Sequence, residues 1–225
     1  MTKVKIMINF LPQLIAEYFL IAKNKLNQSK PTVEWNTGTV GDILLIPGLH
    51  ESWVFLQSIG ILTNQLGCKV HIVPSYNSSE SVNAGYEQIK QYIQTKKLNL
   101  LTIIAHSKGG VIAKKLLMDK NLTNKIKRVI TIATPFGGSI LAYVWPDAYE
   151  LNPKSPIIAQ ILQDQTGNSK IYNLYPRVDN HVIPNRNLLL IGANNVMIDI
   201  VGHTRILEAD QTKKVIKKII SSTDD

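Results

Sequence analysis

From about Asp42 onward, short apolar runs alternate with segments whose apolar residues recur every three or four positions. The runs DILLIPG (42–48), CKVHIVPSY (68–76), LLTIIAHS (100–107) and KRVITIATPFGGS (127–139) predict buried strands that end in turns. KIYNLYP (170–176) and NLLLIGANN (187–195) are two further strand candidates. Between them, WVFLQSIGILTNQLG (53–67) predicts a helix closed by Gly67, and SVNAGYEQIKQYIQTKK (81–97) a helix with Val82, Ile89 and Ile93 on one side. GGVIAKKLLMDK (109–120) and Ala209–Ile220 complete the helical set. No internal repeat is visible. Strands alternating with helices predict an α/β fold, a parallel sheet covered on both faces, with ligands gathering at the carboxyl ends of the strands.

The first 39 residues do not follow this alternation. They divide off as an apolar segment and a polar linker (27–39), ahead of a single domain over 40–225. Within residues 3–26, Lys5, Asn9, Gln13 and Glu17 recur every fourth position as a narrow polar stripe, with Ile6, Phe10, Leu14, Tyr18 and Phe19 in the broad remainder. Polar interruptions argue against a signal peptide, and Glu17 argues against a spanning helix. An amphipathic helix remains, with two roles open. It packs on the body or on a second subunit, or it is an interfacial anchor that makes a peripheral membrane contact. The compartment is expected to be the cytoplasm or a membrane surface, with secretion left open.

Composition changes this picture little. Hydrophobic residues are 44% and charged residues 18% of the 225, as in ordinary globular proteins. A formal net charge of +9 favours anionic surroundings, but the lysines are scattered, and no zinc-knuckle, aromatic RNA-binding or helix-turn-helix pattern points to nucleic acid. The lone Cys68 excludes an intramolecular disulfide and a cysteine metal cluster, and the five histidines show no HExxH pairing, so no metal or organic cofactor is implied. The oligomeric state stays open.

The candidate chemistry sits where an apolar strand stops at a serine and a helix begins at once. Ala105-His106-Ser107-Lys108-Gly109 matches a nucleophile elbow with alanine in place of the first glycine. A serine hydroxyl needs a neighbouring base, and a tight elbow lifts it clear of the sheet. Read blandly, Ser107 is a helix cap. The acid and histidine should follow the serine in that order. His106 is expected to buttress the turn, which leaves His203, after VMIDIVG, and His181. Asp179 is the better placed acid, with Asp199 the rival inside a strand pattern. An oxyanion hole needs two backbone N–H groups. Lys108 supplies one and Leu49, in IPGLHES, the other, with His50 as the alternative. The Lys108 ammonium either favours anionic head groups at the cleft mouth or turns to solvent or a local carboxylate.

Four stretches carry a resemblance: IPGLHES, AHSKGG, ATPFGGS, and YPRVDNHVIP with GANNVMIDIVGH. Over about residues 40–218 the chain resembles the small bacterial α/β-hydrolase lipases and esterases, including those similar to GPI-inositol deacylases. Pro47–Gly48 stands where a histidine-glycine pair is common. The resemblance implies an α/β-hydrolase fold and a lipase or esterase acting on lipid esters. Ser107 would be the nucleophile, His203 the base and Asp179 its orienting acid. The alternatives are an acyltransferase or thioesterase on the same triad, or a non-catalytic protein that binds lipid. Residues 139–162 separate the fourth strand from the acid. Their Tyr143, Trp145, Tyr149, Ile157, Ile158 and Ile161 form either a small apolar lid or the core of an inserted helix.

Overall fold

Six strands lie side by side, all parallel, in the order β2-β1-β3-β4-β5-β6. They are β1 (Gly41–Ile46), β2 (Cys68–Ile72), β3 (Leu101–His106), β4 (Ile126–Ile132), β5 (Ile171–Val178) and β6 (Asn194–Val201). The computed structural model describes residues 10–27 and 33–222. Every residue of β3 is buried, as a strand covered on both faces requires. The period of two divides the sheet's side chains cleanly. Leu44, Ile46, Ile103, Ala105 and Val129 share a core with α3 (Val82–Thr95), α4 (Lys108–Met118) and α5 (Pro156–Gln163). Ile43, Leu45, Ile104, Ile130 and Ile132 share the opposite core with α2 (Gln57–Gln65) and α6 (Asp210–Ser221). Each fully buried Ile or Leu contributes about 1.5–3 kcal/mol of hydrophobic stabilisation. The expected face of α3 is the one observed: Val82, Ile89 and Ile93 are buried, and the Ser81 hydroxyl accepts from the Ala84 N–H at 3.1 Å to start the helix.

The chain runs from β1 outward to β2, then crosses back to β3 on the other side of β1. The connections leaving β1 and β3 therefore diverge, which opens a crevice at their carboxyl ends. The loop after β1 and the turn after β3 are the two segments that carry IPGLHES and AHSKGG.

Two elements differ from the sequence expectation. The strand near the end is Asn194–Val201 and not NLLLIGANN, whose first half is a 3-10 turn over Asn187 and Leu188. Leu188 and Leu190 are buried there without joining the sheet. Asn195 takes over the backbone bonding, donating to the Leu190 carbonyl at 2.8 Å and accepting from its N–H at 3.2 Å. The helical reading of 53–67 is split into a 3-10 turn, Trp53–Leu56, and α2.

The segment before the linker forms α1 (Leu11–Leu26), with Pro12 in its first turn. Its polarity is inverted relative to a helix of a globular core. Glu17 is buried, while Leu11, Ile15, Tyr18 and Phe19 are more than half exposed. Of the roles left open, packing on the body is observed, since Glu17 and Ile21 turn inward. Lys5, Ile6 and Asn9 of the expected stripe lie outside the described residues.

Candidate functional site

Ser107 ends β3 in a backbone conformation that side chains rarely adopt, φ +51°, ψ −122°. This strain persists because the neighbouring elements leave no other path. The Ser107 N–H donates to the Ile132 carbonyl at 2.9 Å, so the residue still follows the sheet while its side chain leaves it. Gly109 is obligatory, since a Cβ there would fall on the carbonyl oxygens of Ile46 and Pro47. Gly110 packs in the same way on Thr134. Ala105, in place of the motif's first glycine, is fully buried in the core.

The loops after β5 and β6 bring Asp179 and His203 together. Nδ1–H of His203 donates to Oδ2 of Asp179 at 2.8 Å. The other oxygen, Oδ1, accepts from the backbone N–H groups of His181 and Val182 at 2.7 and 2.8 Å, which fixes the carboxylate's plane. Burial by itself would raise the Asp179 carboxyl, but His203 and these N–H groups hold it below its ordinary value. For His203, burial pulls down, yet the charge of Asp179 and its hydrogen bond, with Glu51 and Glu17 behind them, leave the imidazole above its usual value. The Nε2 edge is the one left for a partner, and Ser107 and His203 line one cavity. Asp199 is elsewhere, paired with Arg177 at 2.8 Å on the exposed surface. His181 lies beside the pair, its ring centre 4.6 Å from that of His203. Burial and the neighbouring imidazole push its pKa down to about 3, so it is neutral.

A second carboxylate–histidine pair lies under the first. Oε2 of Glu51 accepts from Nδ1–H of His106 at 2.8 Å and from the Gly48 N–H at 2.7 Å. Nε2–H of His106 donates to the His203 carbonyl at 3.1 Å. Both ring nitrogens of His106 thus face oxygen atoms, one on the loop after β1 and one on the loop after β6. Burial opposes the Glu51 charge, but His106 and Gly48 hold its carboxyl below the ordinary value. His106 thus buttresses the elbow, as expected, and also the loop of His203. Glu51 was missed in the sequence. It stands inside IPGLHES, but its partner is 55 residues away. Asn180, whose Oδ1 accepts from the His203 N–H at 2.9 Å, was missed for the same reason.

Of the two amides expected to face a developing charge, Lys108 opens α4, where first-turn N–H groups point out of the helix end. Leu49 follows Gly48, whose Cα lies so near Ser107 that a Cβ would sit 2.9 Å from the serine Cβ. His50, the alternative donor, has φ +57°, and its ring bridges Ser79 Oγ at 2.9 Å and Asp147 Oδ2 at 3.0 Å. The Lys108 side chain does not reach the cleft mouth. It is buried, donates to the Ser78 and Glu80 carbonyls, and pairs with Glu150 at 3.3 Å. The head-group role is therefore overturned in favour of the local carboxylate.

The cavity has a volume of about 520 Å3. Leu49, Phe55, Leu141, Ala148, Leu151 and Val182 give it a largely apolar wall, and Trp145 and Tyr18 stand at its edge. The residues expected as lid or core divide between the two. Trp145 lines the cavity, and Tyr143, Trp145 and Tyr149 are exposed, while Ile158 and Ile161 are fully buried in the body.

This fold has counterparts among solved structures. The chain has the α/β-hydrolase fold. An α/β-hydrolase from a metagenome of Mar Chica lagoon sediments, Morocco, superposes with a TM-score of 0.62 at 20% identity, covering 84% of this chain and 94% of that one. Lipase BlEst2 of Bacillus licheniformis, in mature form, gives 0.62 at 17% identity over 86% and 95%. The monoacylglycerol lipase of Paleococcus ferrophilus gives 0.59 at 16% over 82% and 94%. A family model described as a PGAP1-like alpha/beta domain matches residues 76–146, the part of the hydrolase fold that carries the elbow. No curated protein matches the chain. Among the described residues no helix is long and apolar enough to cross a membrane.

Proposed function

We propose that the protein is a serine hydrolase that cleaves carboxylic esters of lipids through an acyl-enzyme. The observation that carries this reading is the buried His203–Asp179 pair at 2.8 Å, opening with Ser107 on one apolar cavity. In the first step Ser107 Oγ attacks the ester carbonyl while Nε2 of His203 takes the hydroxyl proton. Asp179 keeps the proton on Nδ1 and stabilises the imidazolium that forms. The Leu49 and Lys108 N–H groups receive the oxyanion. Collapse of the tetrahedral intermediate breaks the C–O bond, and His203 passes its proton to the departing alcohol. Water then attacks the acyl-enzyme by the same route, releasing the acid and Ser107. The apolar wall suits an acyl chain, and about 520 Å3 falls within the usual range of small-molecule sites.

The same reading places the cavity mouth at a lipid surface. Tyr18 of α1 and Trp145 line the cavity and are more than half exposed, and Ile15 and Phe19 on α1 and Tyr143 and Val144 before Trp145 are further exposed apolar side chains. Lys23 and Lys25 in the last turn of α1 suit anionic head groups. Labelling by a fluorophosphonate, followed by turnover of a panel of p-nitrophenyl esters, phospholipids and acyl-thioesters, tests the function. Wild-type protein should label and turn over oxygen esters, and Ser107→Ala should do neither. Absence of labelling in the wild type would leave a lipid binder, and preference for thioesters would move the substrate class.

A further inference from the structure

Among the described residues of α1, Glu17 is the one that is buried, and both its oxygens are used. Oε1 accepts from the Thr204 N–H at 2.6 Å and Oε2 from the Arg205 N–H at 2.9 Å. These are the two amides directly after His203. The residue before it, Gly202, has φ +122°, and a Cβ there would lie 2.6 Å from Oε2 of Glu17. Having no Cβ, Gly202 lets the carboxylate approach the loop this closely. His203 is fastened on its other sides as well: the ring by Asp179, the N–H by Asn180 and the carbonyl by His106. Glu17 secures the next two residues of the loop, and of these four partners it alone comes from outside the six-stranded body.

We propose that Glu17 is a positioning residue for His203, so that α1 is part of the active site and the helix that meets lipid also holds the loop of the base. The proposal rests on the reading of His203 as the general base. Two physical effects combine. Charge-assisted hydrogen bonds to successive amides fix where the 202–205 turn stands, and a small displacement of a base is enough to slow proton transfer. The negative charge of Glu17 also favours the imidazolium that forms during the reaction. The other titratable groups facing His203 are Asp179 and His181 after β5, His106 at the end of β3, and Glu51 after β1, with Arg205 on its own loop. Any shift seen on changing Glu17 must be read against that fixed set.

The test uses the full chain with Glu17→Gln and Glu17→Asp, assayed on a soluble p-nitrophenyl ester from pH 4 to 9. Glutamine keeps the size, loses the charge and sets an NH2 against one of the two amides. We expect kcat to fall about 10-fold or more with KM nearly unchanged. Without the charge His203 deprotonates more easily, so the acid limb of kcat/KM should move to lower pH. Glu17→Asp keeps the charge but is one methylene short, so kcat should fall while the limb stays near its wild-type position. Wild-type kcat and an unmoved limb in folded Glu17→Gln would overturn the proposal, as would a lowered melting temperature with normal kinetics, which marks a purely structural role. Should Glu17→Gln not fold, wild-type kcat in Glu17→Asp overturns it. A wild-type protein that neither labels with fluorophosphonate nor hydrolyses any ester defeats the hydrolase reading first, and that result is told apart from the others before any variant is made.

Discussion

Changing Glu51 to Gln should damage both stability and turnover, although Glu51 touches no substrate in the proposed mechanism. Its Oε2 accepts from Gly48, in the loop after β1, and from His106, in the elbow. His106 in turn holds the His203 carbonyl. One carboxylate therefore ties three loops together. The His106 side chain is fully buried and that of Glu51 about nine-tenths so, which removes most solvent screening. Glutamine keeps the size but loses the charge that both donors face, and weakening a buried hydrogen bond to a charged group costs about 1.5–3 kcal/mol. For a chain of this length each kcal/mol moves Tm by about 2–4 °C, so Glu51→Gln should melt about 3–12 °C below wild type at pH 7. The sign of the pH dependence follows from the lowered carboxyl. A depressed pKa stabilises the fold fully above the ordinary value of 4.5, and that contribution is lost as pH falls through the folded value. The gap between wild type and Glu51→Gln should therefore narrow on acidification. Well below either Tm, kcat should drop about 10- to 100-fold, because Gly48 no longer fixes the amide of Leu49. Thermal melts followed by circular dichroism at several pH values, with ester turnover at 20 °C, check this. A Tm within 2 °C of wild type at pH 7, with unchanged kcat, would refute the reasoning.

Under the triad reading, Ser107→Ala and His203→Ala should each remove nearly all esterase activity while leaving the fold intact. The double variant should be little worse than either single one, as turnover assays on one ester will show. Asp179→Asn should lower kcat by about 10^4-fold, since it disturbs the tautomer of His203, and normal turnover in His203→Ala with loss in His181→Ala would reverse the base assignment. Gly109→Ala should fail to accumulate as folded protein or melt far below wild type, because its Cβ has only backbone carbonyls to meet. Ile15→Glu with Phe19→Glu, two exposed residues outside the active-site cavity, should abolish flotation with anionic liposomes while leaving soluble-ester turnover unchanged. Flotation equal to wild type would remove α1 as the lipid contact.

How much of the fold and the site the sequence could show depended on distance along the chain. The core strands were legible because short continuous runs of β-branched and apolar residues report burial locally, and the elbow because its strain and close packing are resolved within five residues. The order serine, acid, histidine narrowed the site further, but only the fold could bring Asp179 to His203 across 24 positions, or Glu51 to His106 across 55. NLLLIGANN misled for a local reason. Leu188 and Leu190 are buried and Leu189 between them is exposed, as in a strand, but Asn195 satisfies the backbone that a neighbouring strand would otherwise take. In α1 the period gave a helix and a polar stripe, yet periodicity is silent on which face turns inward. Glu17 reads as solvated until the two N–H groups that receive it, nearly 190 residues later, are in place.

The choice between His181 and His203 shows what charge adds to geometry. Their ring centres are 4.6 Å apart, so a proton on one strongly disfavours a proton on the other. Both are buried, which disfavours either charge. The balance is decided by the carboxylates. Asp179 bonds directly to the ring of His203, while toward His181 it offers only an oxygen for the backbone N–H. Glu51 and Glu17 add their fields behind His203. One imidazole is thus prepared to accept a proton and the other is held neutral, although the chain as a whole carries a net charge of +9. His181 then serves the cavity as an apolar-facing ring, edge-on to Trp145 at 5.9 Å, and its replacement by a neutral ring such as Phe should change which acyl chains fit before it changes how fast the ester bond is broken.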